Sequence, residues 1–303
     1  RTTLFGFIPV YGLLIACAIG LAVALCEKEC TRKGLPKDSG IDMALWAVPP
    51  AIVGARLYYV AFQWRMFSGD LLSILRVWEG GLAIYGGVIG AAIGILVFAR
   101  VKKIRVGAVL DITSLGFLIG QSIGRWGNFF NREAFGATTE SFLRMGLYNT
   151  VTQTTTYHHP TFLYESLWNA IGFVGLHFLS KKRKYDGQIA LGYCAWYGLG
   201  RALIEGLRTD SLYLGPFRVS QLLAAISCFA GVLLLLINLF RAHDPQKMFV
   251  NQVTLPEPPA KKEKKATEKK TYTVTVVDEN GKAIAGAGVT VGGEHYAKTD
   301  KNG

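Results

Sequence analysis

The stretch VSQLLAAISCFAGVLLLLINLF, residues 219–240, runs for 22 residues without a charged side chain. At the helical rise of about 1.5 Å per residue, it reaches about 33 Å, enough to cross the roughly 30 Å hydrocarbon layer of a bilayer. Outward from it, apolar blocks near that length recur at 5–25, 41–60, 81–99, 106–123, 160–179 and 189–203, the last being the shortest. Half the residues are hydrophobic and the mean hydropathy is +0.28, which excludes an ordinary soluble domain. The expected fold class is an all-α polytopic membrane protein with seven transmembrane helices. The first block lacks a basic leader and a small-residue cleavage site, so it reads as a retained helix and not as a signal peptide.

Orientation follows from the loops, because Lys and Arg near span ends favour the cytoplasmic side. Lys28, Arg32, Lys33 and Lys37 follow the first block, Arg100, Lys102, Lys103 and Arg105 the third, and Lys181, Lys182, Arg183 and Lys184 the fifth. The opposite loops carry Arg65, Arg76, Arg125, Arg132, Arg144, Arg201, Arg208 and Arg218 but no lysine. The N-terminus is therefore expected outside and the C-terminus inside. An all-arginine outer face suits bidentate recognition of phosphate or carboxylate, because guanidinium presents a rigid planar fork. The net charge of +12 sits mainly in the inner loops and gives no argument for nucleic-acid binding.

Four polar stretches interrupt this apolar frame. GRWGNFFNREAFG, residues 124–136, packs Arg125, Asn128, Asn131, Arg132 and Glu133 between membrane-length segments. Such groups are expensive there unless they bind something polar, and the set suits an anion bearing hydroxyl substituents. A well-bonded polar turn capping two helices is the structural alternative. WEGGLAIYGGVIGAAIG, residues 78–94, places Gly86, Gly90 and Gly94 at the spacing that lets membrane helices pack closely, with Tyr85 among the glycines near the outer end. HHPTFLYES, residues 158–166, puts His158, His159, Tyr164 and Glu165 at the start of the fifth block, with Pro160 suited to a first helical position. His159 and Glu165 are too sparse for a metal site, and no cysteine lies nearby. In GLGRALIEGLRTD, residues 198–210, Arg201, Glu205 and Arg208 stand at i, i+4 and i+7 and are expected on one helix face, walling a polar cleft. Arg56, in the second block after Pro49 and Pro50, needs an anionic or carbonyl partner.

These four stretches, in this order and over residues 1–243, resemble the prolipoprotein diacylglyceryl transferase family of bacteria. GRWGNFFNREAFG is the most specific element, supported by HPTFLYE and by GRALIE with the following Arg208. The resemblance implies transfer of a diacylglyceryl group from phosphatidylglycerol to the lipobox cysteine thiol of a preprolipoprotein, with a thioether formed and glycerol phosphate released. It implies a monomer in the bacterial cytoplasmic (inner) membrane, working near the outer leaflet without metal or other cofactor. A thiol that expels a phosphate ester needs leaving-group stabilisation and a proton acceptor. Arg125 and Arg201 are the first candidates for the developing phosphate charge. By resemblance, Asn128, Asn131 and Glu133 hold the headgroup, Glu205 orients Arg201 or takes a proton, and Gly86, His159, Tyr164, Glu165, Arg208 and Arg56 complete the binding site. Tyr85 stands where many family members carry a histidine, so that base is missing, and the tyrosine is expected to hydrogen-bond headgroup or thiol. An anion transporter and a non-catalytic lipid binder are the rival classes.

After residue 243 the composition changes. Residues 244–270 read as a charged Lys/Glu/Pro linker containing KKEKKATEKK. Residues 271–303 alternate apolar and polar residues around Asn280-Gly281, a hairpin signal, and resemble the opening strands of a carboxypeptidase-regulatory-like β-sandwich. Cys17, Cys26, Cys30, Cys194 and Cys228 show no metal or redox spacing and are expected as reduced structural thiols.

Overall fold

The computed structural model of the chain describes residues 3–4, 8–209, 211–252, 275–291, 294–298 and 300. The chain divides into two compact units, Arg1–Thr254 and Leu255–Gly303.

Among the described residues the first unit holds seven long helices: α1 (Val10–Arg32), α2 (Ser39–Phe62), α4 (Ile84–Val101), α5 (Val106–Asn131), α6 (Thr161–Ser180), α7 (Gln188–Glu205) and α8 (Val219–Leu239). A single turn, α3 (Trp64–Phe67), and two 3-10 turns, Leu71–Leu75 and Val77–Glu79, link α2 to α4. Five of the seven long helices, α1, α2, α4, α5 and α8, are long and apolar enough to cross a membrane. Helices α6 and α7 do not meet that standard on composition, because Glu165, His177, Arg201 and Glu205 dilute their apolar runs. The unit is thus mostly helical and polytopic.

The first and fourth helices differ most from the expected bounds. Helix α1 continues past residue 25 to Arg32 because its charged last turns have partners. Glu27 accepts from the backbone N–H groups of Asp38 (2.8 Å) and Gly40 (2.7 Å), capping the start of α2 from a neighbouring helix. Helix α5 runs on to Asn131, so the whole GRWGNFFN segment is helical and not a turn.

Helix α5 is the centre of the unit. Half of its apolar stretch is buried, against 11% for α8, whose leucines face outward. Helix α1 packs on α5, α5 on α6, α6 on α7, α7 on α8, and α2 on α4. The α2–α4 contact is the closest approach: a Cβ added at Gly86, Gly90 or Gly94 would fall against the carbonyls of Gly54, Pro50 and Trp46 respectively. Pro50 offers no N–H to the Trp46 carbonyl one helical turn back, leaving that oxygen exposed to the Cα of Gly94.

Before α1 the short strands β1 (Thr3–Leu4) and β2 (Ile8–Pro9) pair antiparallel, and between α5 and α6 a hairpin pairs β3 (Met145–Asn149) antiparallel with β4 (Thr154–His158), with Met145 opposite His158. In the second unit the chain turns at Asn280–Gly281, where Gly281 has φ 77° and Val277 bridges Ala283. There Gly288–Val291 pairs antiparallel with Glu294–Lys298. Most of the predicted linker, 253–270, lies outside the described residues.

Candidate active site

Two reciprocal side-chain clasps align α5, α6 and α7. Ser122 Oγ donates to the Ser166 carbonyl (2.9 Å) and Ser166 Oγ to the Ser122 carbonyl (2.8 Å), pinning α5 to α6. Trp168 and Trp196 stack with centroids 4.5 Å apart, and each indole N–H donates to the other residue's carbonyl at 2.9 Å, pinning α6 to α7. Gly172 and Gly200 make room, since a Cβ at either would strike an indole ring. Ser122 lies three residues before Arg125, Ser166 follows Glu165, and Gly200 precedes Arg201. The clasps therefore bring the charged residues of three helices together.

Glu165, 3% exposed, is the hub. One of its oxygens pairs with Arg125, while the other accepts from Arg201 Nη1 at 2.7 Å and faces Arg208 Nη1 at 3.4 Å. Arg201 also holds Glu205 at 2.5 Å, and Arg208 Nε lies 3.9 Å from the same carboxylate. Glu205 is 1% exposed. Three guanidiniums against two carboxylates leave one net positive charge in a largely buried cluster, the environment in which an additional anion is favoured. Arg218, at the start of α8, donates to the Glu205 carbonyl and adds a further cation.

Sequence spacing places Arg208 on the helix face of Arg201 and Glu205. In the structure α7 stops at Glu205, and a turn closed by Leu207 N–H to the Ile204 carbonyl (2.9 Å) and Arg208 N–H to the Glu205 carbonyl (3.2 Å) keeps Arg208 beside its expected partners. The GRWGNFFNREAFG segment meets this turn through backbone. Gly136 bridges Arg208, Ala137 N–H donates to the Leu207 carbonyl (2.9 Å), and Gly136 N–H donates to the His159 carbonyl (2.9 Å). A Cβ at Gly136 would meet both His159 and Leu207, so only glycine fits where the three segments converge.

Asn128 and Asn131 both donate to Glu133 Oε1, at 3.1 and 3.3 Å. Arg132 ends α5 in the left-handed conformation (φ 54°), which folds Glu133 back onto the last helical turn. His159 Nδ1 and the Tyr164 hydroxyl share a hydrogen bond of 3.3 Å at the start of α6.

Three sequence-assigned residues sit apart from the hub. The Arg56 guanidinium donates to the carbonyls of Ile74 (2.9 Å), Gly80 (2.6 Å) and Gly81 (3.1 Å), with Ser73 and Arg76 completing the set. Its partners are thus carbonyls, and it organises the loop between α3 and α4. Gly86 is a helix-packing residue against Gly54 and Tyr58. The Tyr85 hydroxyl hydrogen-bonds Ser220 Oγ on α8 at 2.9 Å.

An apolar cavity of about 500 Å³ opens among α1, α2, α4 and α5. Ala18, Ile19, Met43, Ala47, Phe117 and Gly120 form its walls, and Gln121, Arg125 and Asn128 line it along α5. Arg125 thus touches both the cavity and Glu165. Sequence reasoning passed over Tyr11, whose ring packs where a Cβ on Gly127 would lie and which lines the same cavity. It also passed over Ser122, Ser166 and the tryptophan pair, whose partners stand some 28 to 44 positions apart.

Polytopic helices, a buried arginine–glutamate cluster and an adjoining apolar cavity define a polytopic membrane protein with a cationic site beside an apolar chamber, a pairing chemically suited to an amphipathic anion. The family model of prolipoprotein diacylglyceryl transferase matches residues 3–237, and the chain belongs to that family. It is 45% identical over 260 residues to the phosphatidylglycerol–prolipoprotein diacylglyceryl transferase of Enterococcus faecalis, covering 82% of this chain and 92% of the relative. The enzymes of that name from Listeria monocytogenes serotype 4b and Lactiplantibacillus plantarum are 40% and 43% identical, each over 78% of this chain and 88% and 86% of their own.

Proposed function

We propose that this chain transfers the diacylglyceryl group of phosphatidylglycerol to the lipobox cysteine thiol of a preprolipoprotein, the first step of bacterial lipoprotein maturation. The thiol sulfur attacks the glyceryl carbon bearing the phosphate ester, the C–S bond forms, the C–O bond breaks, and glycerol phosphate leaves with the electron pair. The thiol proton passes to a base. The observation that carries this reading is the convergence of Arg125, Arg201 and Arg208 on buried Glu165 beside an apolar cavity that Arg125 itself lines. Fixed guanidiniums stabilise charge that develops on the leaving phosphate, commonly the largest catalytic contribution. Arg125 and Arg201 take the phosphate. Asn128, Asn131 and Glu133 receive the glycerol hydroxyls of the headgroup, and the acyl chains occupy the cavity. Glu205 orients Arg201 or accepts the proton. Glu165 and Arg208 hold the arginine set in place, and His159 and Tyr164 border the headgroup. Tyr85 contributes its hydroxyl to headgroup or thiol by leaving Ser220.

In this reading all seven long helices span the bacterial cytoplasmic membrane, with the N-terminus outside, the C-terminus inside and the arginine cluster near the outer leaflet. The polar residues of α6 and α7 satisfy one another, which makes their insertion tolerable. Residues 1–243 form the monomeric transferase, 244–270 a linker and 271–303 a β segment outside the chemistry. Purified protein incubated with phosphatidylglycerol and a lipobox peptide is expected to yield the diacylglyceryl thioether by mass spectrometry, and Arg125→Ala and Arg201→Ala to abolish it. Lipid bound by the wild type without thioether would favour a non-catalytic lipid-binding relative, the reading that the Tyr85–Ser220 bond most favours.

A further inference from the structure

At the other end of the α7–α8 pair lies a second cavity, of about 740 Å³, between the last turns of α8 and the 183–188 loop. Arg201 lies thirteen positions after Gln188 along α7, so the two sites stand about 20 Å apart along the helix. One wall is apolar: Val232, Leu235, Leu236 and Leu239 of α8, most of them exposed on the flank of this outward-facing helix. The mouth is cationic, with Arg183, Lys184 and Arg241 lining it, and among the described residues no carboxylate lines this cavity. Arg183 is held from behind by Asp111 (3.6 Å) and Asp186 (3.7 Å). Lys184 and Arg241 are exposed and have no carboxylate partner among the described residues. Tyr185 and His243, stacked with centroids 4.4 Å apart, tie the loop to the segment after α8.

We propose that this cavity is a binding site for an anionic phospholipid of the leaflet opposite the arginine cluster, with its phosphate between Lys184 and Arg241 and an acyl chain along the α8 leucines. Charge complementarity selects an anion, and the continuous leucine wall selects one that carries a hydrocarbon chain, which a free phosphate does not use. The site is independent of the transfer chemistry and would anchor the α7–α8 pair, and with it Arg201 and Glu205, against the bilayer.

The full chain in detergent, titrated with dioleoyl phosphatidic acid or dioleoyl phosphatidylcholine and read by native mass spectrometry, tests the assignment. Arg125→Ala is included so that binding at the arginine cluster is counted separately. Arg125→Ala, in which the arginine-cluster site is weakened, is expected to retain one phosphatidic acid in preference to phosphatidylcholine, and the wild type that one together with any lipid held at the cluster. Lys184→Gln/Arg241→Gln is expected to weaken that retention at least fivefold, whereas Lys181→Gln/Lys182→Gln, which alters exposed cations outside the cavity, changes it less than twofold. Equal retention of phosphatidylcholine, or equal effects of the two double variants, would overturn the proposal. Should the first double variant not fold, Arg241→Gln alone is expected to weaken retention at least twofold, and an unchanged affinity would count against the site. Loss of thioether formation with this binding intact would instead tell against the transferase reading.

Discussion

At the scale of single residues, Glu165 has the largest consequences. Two of its guanidinium partners, Arg125 and Arg201, are also the groups proposed to meet phosphate. Glu165→Gln removes the carboxylate that Arg125 pairs with and leaves Arg201 with Glu205 alone, in a buried setting. Breaking a buried ion pair from one side typically costs about 3–5 kcal/mol. The variant is expected to unfold earlier by roughly that amount in a thermal or denaturant titration, and to lose more than tenfold in thioether formation. Glu133→Gln is the contrast: its carboxylate is exposed and its partners are neutral amides, so stability should shift by less than about 0.5 kcal/mol while headgroup affinity falls. Lys33, just beyond α1, gives a pH signature. It is 1% exposed, and burial lowers its amine from 10.5 to about 8 despite the nearby Asp111. Between those values the unfolded chain carries the proton and the folded chain does not, so stability should rise with pH across that window. Lys33→Met should flatten the slope between pH 8 and 10, as read from unfolding midpoints. The charged members of the cluster were legible in the sequence because ionisable groups between membrane-length apolar runs have few bland explanations. The partners of Arg56 were not: a guanidinium that ends on backbone carbonyls looks, in sequence, the same as one awaiting a ligand.

At the scale of helices, the existence of all seven long elements could be read from the spacing of apolar blocks along the sequence, yet their ends could not. Helix α1 outlasts its apolar run by about two turns because Glu27 caps the start of α2 and Glu29 pairs with Arg32 in its own last turn and faces His177 of α6 at 3.4 Å, and no local pattern announces a cap supplied from elsewhere. Helix α5 carries the polar signature inside its last turns for the same reason: Arg125 is paired across to α6. What aligns these helices is a set of small residues and indoles that reads as unremarkable apolar sequence. Gly200 is the sharpest case, since its missing Cβ lets Trp168 reach the Trp196 carbonyl directly beside Arg201. Gly200→Ala should cost about 1–3 kcal/mol through overpacking and should lower turnover by displacing Arg201. Replacing the obstacle as well, with Trp168→Leu, is expected to recover part of the loss. If the two substitutions were simply additive in unfolding measurements, the indole contact would not be the cause.

For the whole molecule, the topology turns on the two polar helices crossing the bilayer together with the five apolar ones. The argument that they do is electrostatic: Glu165 of α6 and Arg201 and Glu205 of α7 face one another and not lipid, so the pair enters with its charges already compensated. A hydropathy window scores each helix as if alone, which is why it passes over elements whose polarity is satisfied only in the assembled bundle. Three positions decide the matter. Thr152 lies in the β3–β4 turn before α6, Lys182 between α6 and α7, and Leu212 between α7 and α8, and all three are exposed. With the exposed Cys17 replaced by alanine, Thr152→Cys and Leu212→Cys should react with a membrane-impermeant maleimide in intact cells, while Lys182→Cys should react only after permeabilisation. That alternation requires two crossings and puts the arginine cluster, which lies at the Thr152 and Leu212 ends of these helices, on the outer side. Labelling of all three in intact cells would leave α6 and α7 on one face of the membrane, and labelling of Lys182→Cys alone would invert the orientation that the lysine-rich loops imply.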